Sequence, residues 1–112
     1  MEHQLSTNEK SLKMNNPEKI LEDSRKEIDR VDNELIDLIH KRTSLGNDIV
    51  TAKIALNMDI YDEKRENIIH EKTIKIANEK ILNDDTKNSI IQIMNILTSL
   101  SKTEQKKIIN KK

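Results

Sequence analysis

Apolar residues return in a heptad-like rhythm along the first half of the chain: Ile28, Val31, Leu35 and Leu38, then Leu45, Ile49 and Ala52. Spacings of three and four put them on one stripe of a helix. Asn16-Pro17 opens the stretch as an N-cap followed by proline at the first helical position, where the absent N–H is not needed. No breaker follows until about Asn57, so the pattern predicts a single helix of roughly 55–60 Å at about 1.5 Å per residue. Asn57-Met58-Asp59 reads as a loop. A second helix is expected from Asp62, a good N-cap, to about residues 80–82, with Ile68, Ile69, Ile76 and Ala77 as its apolar positions. Asn83-Asp84-Asp85 forms the next turn and cap. A third helix is expected over about residues 85–108, with Ile90, Ile93, Met94, Leu97 and Leu100 on its buried side.

Three helices of such unequal length cannot cover one another within one copy of the chain. The apolar stripe of the first would extend into water beyond the reach of the other two, and an exposed stripe of that kind marks a partner surface. The expected architecture is therefore all-α: one long and two shorter helices forming an intertwined homodimeric bundle. Residues 1–16 are mixed polar without periodicity and read as a disordered tail. The helical domain is expected over 17–108, with a frayed basic end at 109–112.

Composition removes several function classes. The 112 residues carry 20 basic and 20 acidic side chains, so no global field draws the chain to nucleic acid or to a membrane. Tyr61 is the only residue among Phe, Trp and Tyr, which argues against base stacking. The absence of cysteine excludes disulfides, thiolate metal sites and a cysteine nucleophile. His3, His40 and His70 share no ligand spacing, and no metal or other cofactor is expected. No apolar signal stretch opens the chain, no run is apolar enough to span a bilayer, and a cytoplasmic location is expected.

The informative positions are charges where the helical pattern asks for apolar residues. Arg42 falls one heptad after Leu35 and one before Ile49. Lys53 lies 11 residues beyond it, close to three whole turns, so the two share a face. Arg25 lies on a neighbouring row that runs through Asp32, Ile39 and Gly46 to Lys53. One reading is structural: these cations pair with Asp32, Glu34 or Asp48, or reach water along their stems. The other is that Arg42 and Lys53 line a pocket for an anion, because a buried arginine is costly without a counter-charge. Gly46, which costs about 1 kcal/mol against alanine in mid-helix, would allow close helix approach there. Asp62, Arg65 and Glu66 form a charged turn that also suits an ordinary capped helix start. Thr98, Ser101 and Gln105 form a polar stripe that also suits a solvent boundary.

Taken together, these residues carry a resemblance. Arg25-Lys-Glu-Ile-Asp-Arg-Val-Asp32, followed by Glu34-Leu-Ile-Asp-Leu-Ile-His-Lys-Arg42, resembles the opening of the all-helical chorismate mutases: an arginine, then Ile-x-x-(Ile/Leu)-Asp, apolar pairs, and a second arginine. The match continues through Ala52-Lys53, Tyr61-Asp62-x-x-Arg65-Glu66 and Ser101-x-x-x-Gln105. It covers about residues 20–106 and is ungapped from Arg25 to Glu66. An ungapped continuation would put Thr98 and Lys102 at the last two positions. Three extra residues in the turn near Asn83 put Ser101 and Gln105 there, and align Ile90, Ile93, Met94 and Leu97 with the family's apolar positions. The second register is preferred.

The resemblance implies chorismate as substrate and a Claisen rearrangement to prephenate in aromatic amino-acid biosynthesis, without cofactor. It implies that Arg25 and Arg42 bind the two carboxylates, with Arg65 adding charge balance. Lys53 and Gln105 would face the ether oxygen, Glu66 and the backbone near Asp62 would take the ring hydroxyl, and Ser101 would help seat a carboxylate. Arg25 and Lys53 are 28 residues apart, about 42 Å along a helix. Arg25 would therefore act in trans, in the partner's pocket of a homodimer. An isochorismate pyruvate lyase on the same scaffold, or a non-catalytic helical dimerisation module, are the alternative readings.

Overall fold

The computed structural model describes residues 16–80 and 83–110. The expected tail falls outside these residues except for Asn16, as do residues 81–82 and 111–112. The described chain is helical, without strands, in four segments: α1 (Pro17–Ser44), α2 (Gly46–Ala55), α3 (Glu63–Glu79) and α4 (Asp84–Asn110). It divides into two compact units, Met1–Asp37 and Leu38–Lys112.

In the first unit, the described residues belong to α1 after its cap. Asn16 Oδ1 accepts from the Lys19 N–H at 3.1 Å, and Pro17 takes the first helical position. Ion pairs one turn apart line the helix: Lys19–Asp23 at 3.1 Å, Lys26–Glu22 at 3.8 Å, and Arg30 between Glu27 and Glu34. The Arg30 guanidinium holds the Glu27 carboxyl below its usual range. Such exposed pairs contribute little to stability, because water screens them. Every residue from 16 to 37 is exposed, including Ile28, Val31 and Leu35.

In the second unit, α4 packs against both α2 and α3. The expected single first helix is interrupted at Leu45, one residue wide. Ser44 Oγ donates to the His40 carbonyl at 2.8 Å, a back-bond that competes with the helical ladder, and the weak helix former Gly46 follows. The ladder is only disturbed: Leu45 N–H reaches Lys41 O at 3.2 Å, and Ile49 N–H reaches Leu45 O at 3.0 Å. Gly46 is buried where α2 meets α4. A Cβ there would lie 3.5 Å from Glu104 Cβ and 3.7 Å from Ser101 O, ordinary contact, so the approach is close without demanding glycine.

α2 ends at Ala55, and two residues on, Asn57 is left-handed, with a φ of 58°. The Met58 N–H returns to Lys53 O at 2.8 Å and the Asn57 N–H to Ile54 O at 3.1 Å, the paired bonds of a Schellman ending. Asp62 caps α3 by accepting from the Arg65 N–H at 3.1 Å. Asn83 caps α4 by accepting from the Thr86 N–H at 2.7 Å. α4 stays helical through Asn110, beyond the expected end near Ile108.

The core is small. Val50 and Ala77 are its buried apolar residues among those described, beside Gly46, Thr73 and Gln105. Of the expected inward positions on α4, Ile90, Met94, Leu97 and Leu100 are half-buried, whereas Ile93 is 48 % exposed. On α3, Ile68 and Ile76 are also exposed. The reason is geometric: the apolar arc of α4 extends round to Ile93 and Ile96, wider than α2 and α3 cover.

Candidate functional site

A cavity of about 410 Å³ opens within the second unit where the end of α1, α2, the start of α3 and the C-terminal half of α4 converge. Each element supplies one face at helical spacing. Arg42, Leu45, Ile49 and Lys53 come from α1, the Leu45 turn and α2 in steps of three or four. Asp62, Arg65, Glu66 and Ile69 come from the cap and first turns of α3, and Thr98, Ser101, Lys102 and Gln105 from one face of α4. Ile60 completes the lining. Apolar side chains thus form walls around a ring of charge.

That ring is cationic. Arg42, Lys53, Arg65 and Lys102 stand against the carboxylates of Asp62 and Glu66, four positive groups to two negative. A cavity with apolar walls concentrates such a field, so the site suits an anion of about two charges.

The polar groups are held in place by one another. Lys53 Nζ donates to Gln105 Oε1 at 3.0 Å and to the Ile60 carbonyl. Gln105 Nε2 donates to Ser101 Oγ at 3.1 Å. The amide orientation is forced, because an ammonium can only donate and must face the oxygen. An ammonium carries three N–H bonds and an amide two. Beyond these contacts Lys53 and Gln105 each have one further N–H, and both residues line the cavity. Gln105 is 3 % exposed, and the Lys53 contact offsets the cost of burying its amide. Arg42 Nη1 donates to the Leu97 carbonyl at 3.0 Å, which aims the guanidinium and leaves its other donors for a ligand. Lys102 Nζ lies 2.9 Å from Glu66 Oε2. Asp62 accepts its capping bond through Oδ1, and Arg65 stands exposed at the rim.

Seven of the eight residues singled out from the sequence therefore line one cavity: Arg42, Lys53, Asp62, Arg65, Glu66, Ser101 and Gln105. Arg25 belongs to the first unit and is not among the lining residues. Thr98 and Lys102, which the sequence treats as alternatives to Ser101 and Gln105, line the cavity as well. All four can do so because offsets of three, four and seven fall on one helical face. Gln105, and not Lys102, is the α4 residue bonded to Lys53. The apolar lining of Ile60 and Ile69 went unread, since nothing separates such residues from core in a sequence.

Comparison with known proteins identifies the family. The family model for chorismate mutase type II matches residues 24–106. A chorismate mutase of Methanocaldococcus jannaschii is 34 % identical over 89 residues, 80 % of this chain and 87 % of the relative. The bifunctional chorismate mutase/prephenate dehydratases of Buchnera aphidicola and Aquifex aeolicus are 33 % and 31 % identical, over 78 % and 79 % of this chain. The matched stretch is only 22 % and 24 % of those two proteins. No solved structure matches the chain significantly. With the family match spanning most of the chain and the archaeal relative matched over most of its length, the chain belongs to the chorismate mutase type II family.

Proposed function

We propose that the chain catalyses the Claisen rearrangement of chorismate to prephenate, an isomerase reaction of aromatic amino-acid biosynthesis. The observation that carries this reading is the Lys53–Gln105 pair, two donor-bearing side chains bonded to each other in the lining of a cavity with a net excess of cations. Chorismate is a dianion, and its rearrangement breaks an ether bond while forming a carbon–carbon bond in one cyclic step. The reaction needs no nucleophile and no proton transfer. It needs the reactive chair-like conformer held in place and the charge developing on the ether oxygen stabilised.

The residues divide that work. Arg42 takes one carboxylate, for which planar guanidinium geometry is suited. The remaining N–H of Lys53 and that of Gln105 meet the ether oxygen. These donors are already oriented by Ile60, Ser101 and each other, so little reorganisation is required as charge builds. Glu66 accepts the ring hydroxyl, assisted by the backbone near Asp62. Ser101 helps seat a carboxylate, and Arg65 adds positive charge at the rim.

The site becomes complete in a homodimer, where the partner's Arg25 supplies the cation for the second carboxylate. Two observations support a partner: apolar residues stand exposed at heptad spacing, and the core buried by one chain is small. The catalytic domain on this reading is residues 17–108. A cytoplasmic location fits, and among the described residues no helix is long and apolar enough to cross a membrane.

Purified protein mixed with chorismate decides the function. Loss of chorismate absorbance with prephenate as product, unchanged by EDTA, is the expected result. Release of pyruvate from isochorismate with chorismate untouched would favour the lyase. Inertness toward both would leave the dimerisation module.

A further inference from the structure

Lys102 is the one cation of the cavity that the reading above leaves without a task. It sits on α4 one turn after Thr98, and its Nζ lies 2.9 Å from Glu66 Oε2 on the first turn of α3. The same ammonium lies 5.1 Å from the centroid of the Tyr61 ring, in the loop just before that helix. The two paired side chains are 28 % and 26 % exposed, in contrast to the ion pairs of α1, whose partners are at least 55 % exposed. Removal from water strengthens such a charge-assisted bond, and the ring face adds a further attraction for the ammonium.

Resting on the mutase reading, we infer that Lys102 is a positioning residue for Glu66. By engaging Oε2 it presents Oε1 as the acceptor for the substrate's ring hydroxyl. The contact also answers an electrostatic difficulty. A carboxylate beside a dianionic ligand is repelled by it, at a few ångströms and in a partly desolvated cavity. A lysine bonded to that carboxylate cancels most of the repulsion while leaving one oxygen for the hydroxyl. Lys102 therefore acts through Glu66 and touches neither the ether oxygen nor the carboxylate held by Arg42. Its loss acts on binding of the hydroxyl, an interaction made in the ground state and the transition state alike, and so appears in KM.

A double-mutant cycle tests this with Lys102→Met, Glu66→Gln and the double variant, each checked for helicity, and with Lys102→Arg as the conservative control. Lys102→Met should lower kcat/KM about tenfold, the size of one charge-assisted hydrogen bond, mostly through KM. In the Glu66→Gln background the same substitution should cost less than about twofold, because the group it positions is gone. Lys102→Arg should stay within about threefold of wild type and reads the role even if the methionine variant fails to fold. An equal loss in both backgrounds would show that Lys102 acts independently of Glu66 and overturn the inference, as would wild-type kinetics for Lys102→Met. A wild-type protein that leaves chorismate unchanged would instead remove the mutase reading, and this assignment with it.

Discussion

Arg42 occupies a position that the helix pattern assigns to an apolar side chain, one heptad from Leu35 and one from Ile49. It is half-buried there, with one N–H on the Leu97 carbonyl and the rest of its guanidinium facing the cavity. Arg42→Ala should lower kcat/KM by about 10²–10³, the loss expected when charge-assisted hydrogen bonds to a substrate carboxylate are removed. The fold should survive, because the Leu97 carbonyl lies within a helix and loses only a secondary partner. Steady-state kinetics with circular dichroism check this, and activity within about threefold of wild type would remove Arg42 from the site. The two polar residues of α4 separate in the same way. Gln105→Ala should cost about 100-fold and Lys102→Ala about tenfold in kcat/KM, since only Gln105 is bonded to Lys53. The reverse order would make Lys102 the group at the ether oxygen. At this scale, Arg42 and Lys53 were legible as charges breaking an apolar pattern. The division of labour among Thr98, Ser101, Lys102 and Gln105 was not. All four share one helical face, and which is buried depends on how closely α2 approaches at Gly46.

Helix ends carry local signals, and most were readable for that reason. Asn16, Asp62 and Asn83 each accept a backbone N–H three residues on, as short polar side chains before a helix do. The ending of α2 was legible as a breaker at Asn57, though not as a Schellman motif with φ of 58°. That conformation yields a prediction. Asn57→Gly should match or slightly exceed wild-type stability, whereas Asn57→Val should lose about 1–2 kcal/mol, because a β-branched side chain clashes in the left-handed region. Urea denaturation of both variants checks it, and equal midpoints would mean that the turn is not left-handed in solution. The interruption at Leu45 had no such signal. It arises from the Ser44 back-bond to His40 and from Gly46, neither of which disturbs the apolar period. The exposure of Ile93 was equally hidden, because periodicity reports the width of an apolar arc but not how much of it is covered.

At the scale of the whole molecule, the exposed apolar residues and the position of Arg25 raise one question: whether the catalytic unit is one chain or two. A cavity drawn from a single chain holds Arg42, Lys53, Gln105 and Glu66 but not Arg25. Complementation distinguishes the possibilities. Arg25→Ala and Arg42→Ala are each expected to be nearly inactive as homodimers. Unfolded together in equal amounts and refolded, they form about half mixed dimers on random pairing. If Arg25 reaches the partner's site, each mixed dimer has one site lacking both arginines and one lacking neither. Half the dimers with one of two sites restored gives roughly a quarter of wild-type activity. If Arg25 serves its own chain, every site still lacks one arginine and nothing returns. Native mass spectrometry establishes that mixed dimers have formed, so an inactive mixture containing them would sink the shared site. A chain that remains monomeric at micromolar concentration would sink the dimer itself.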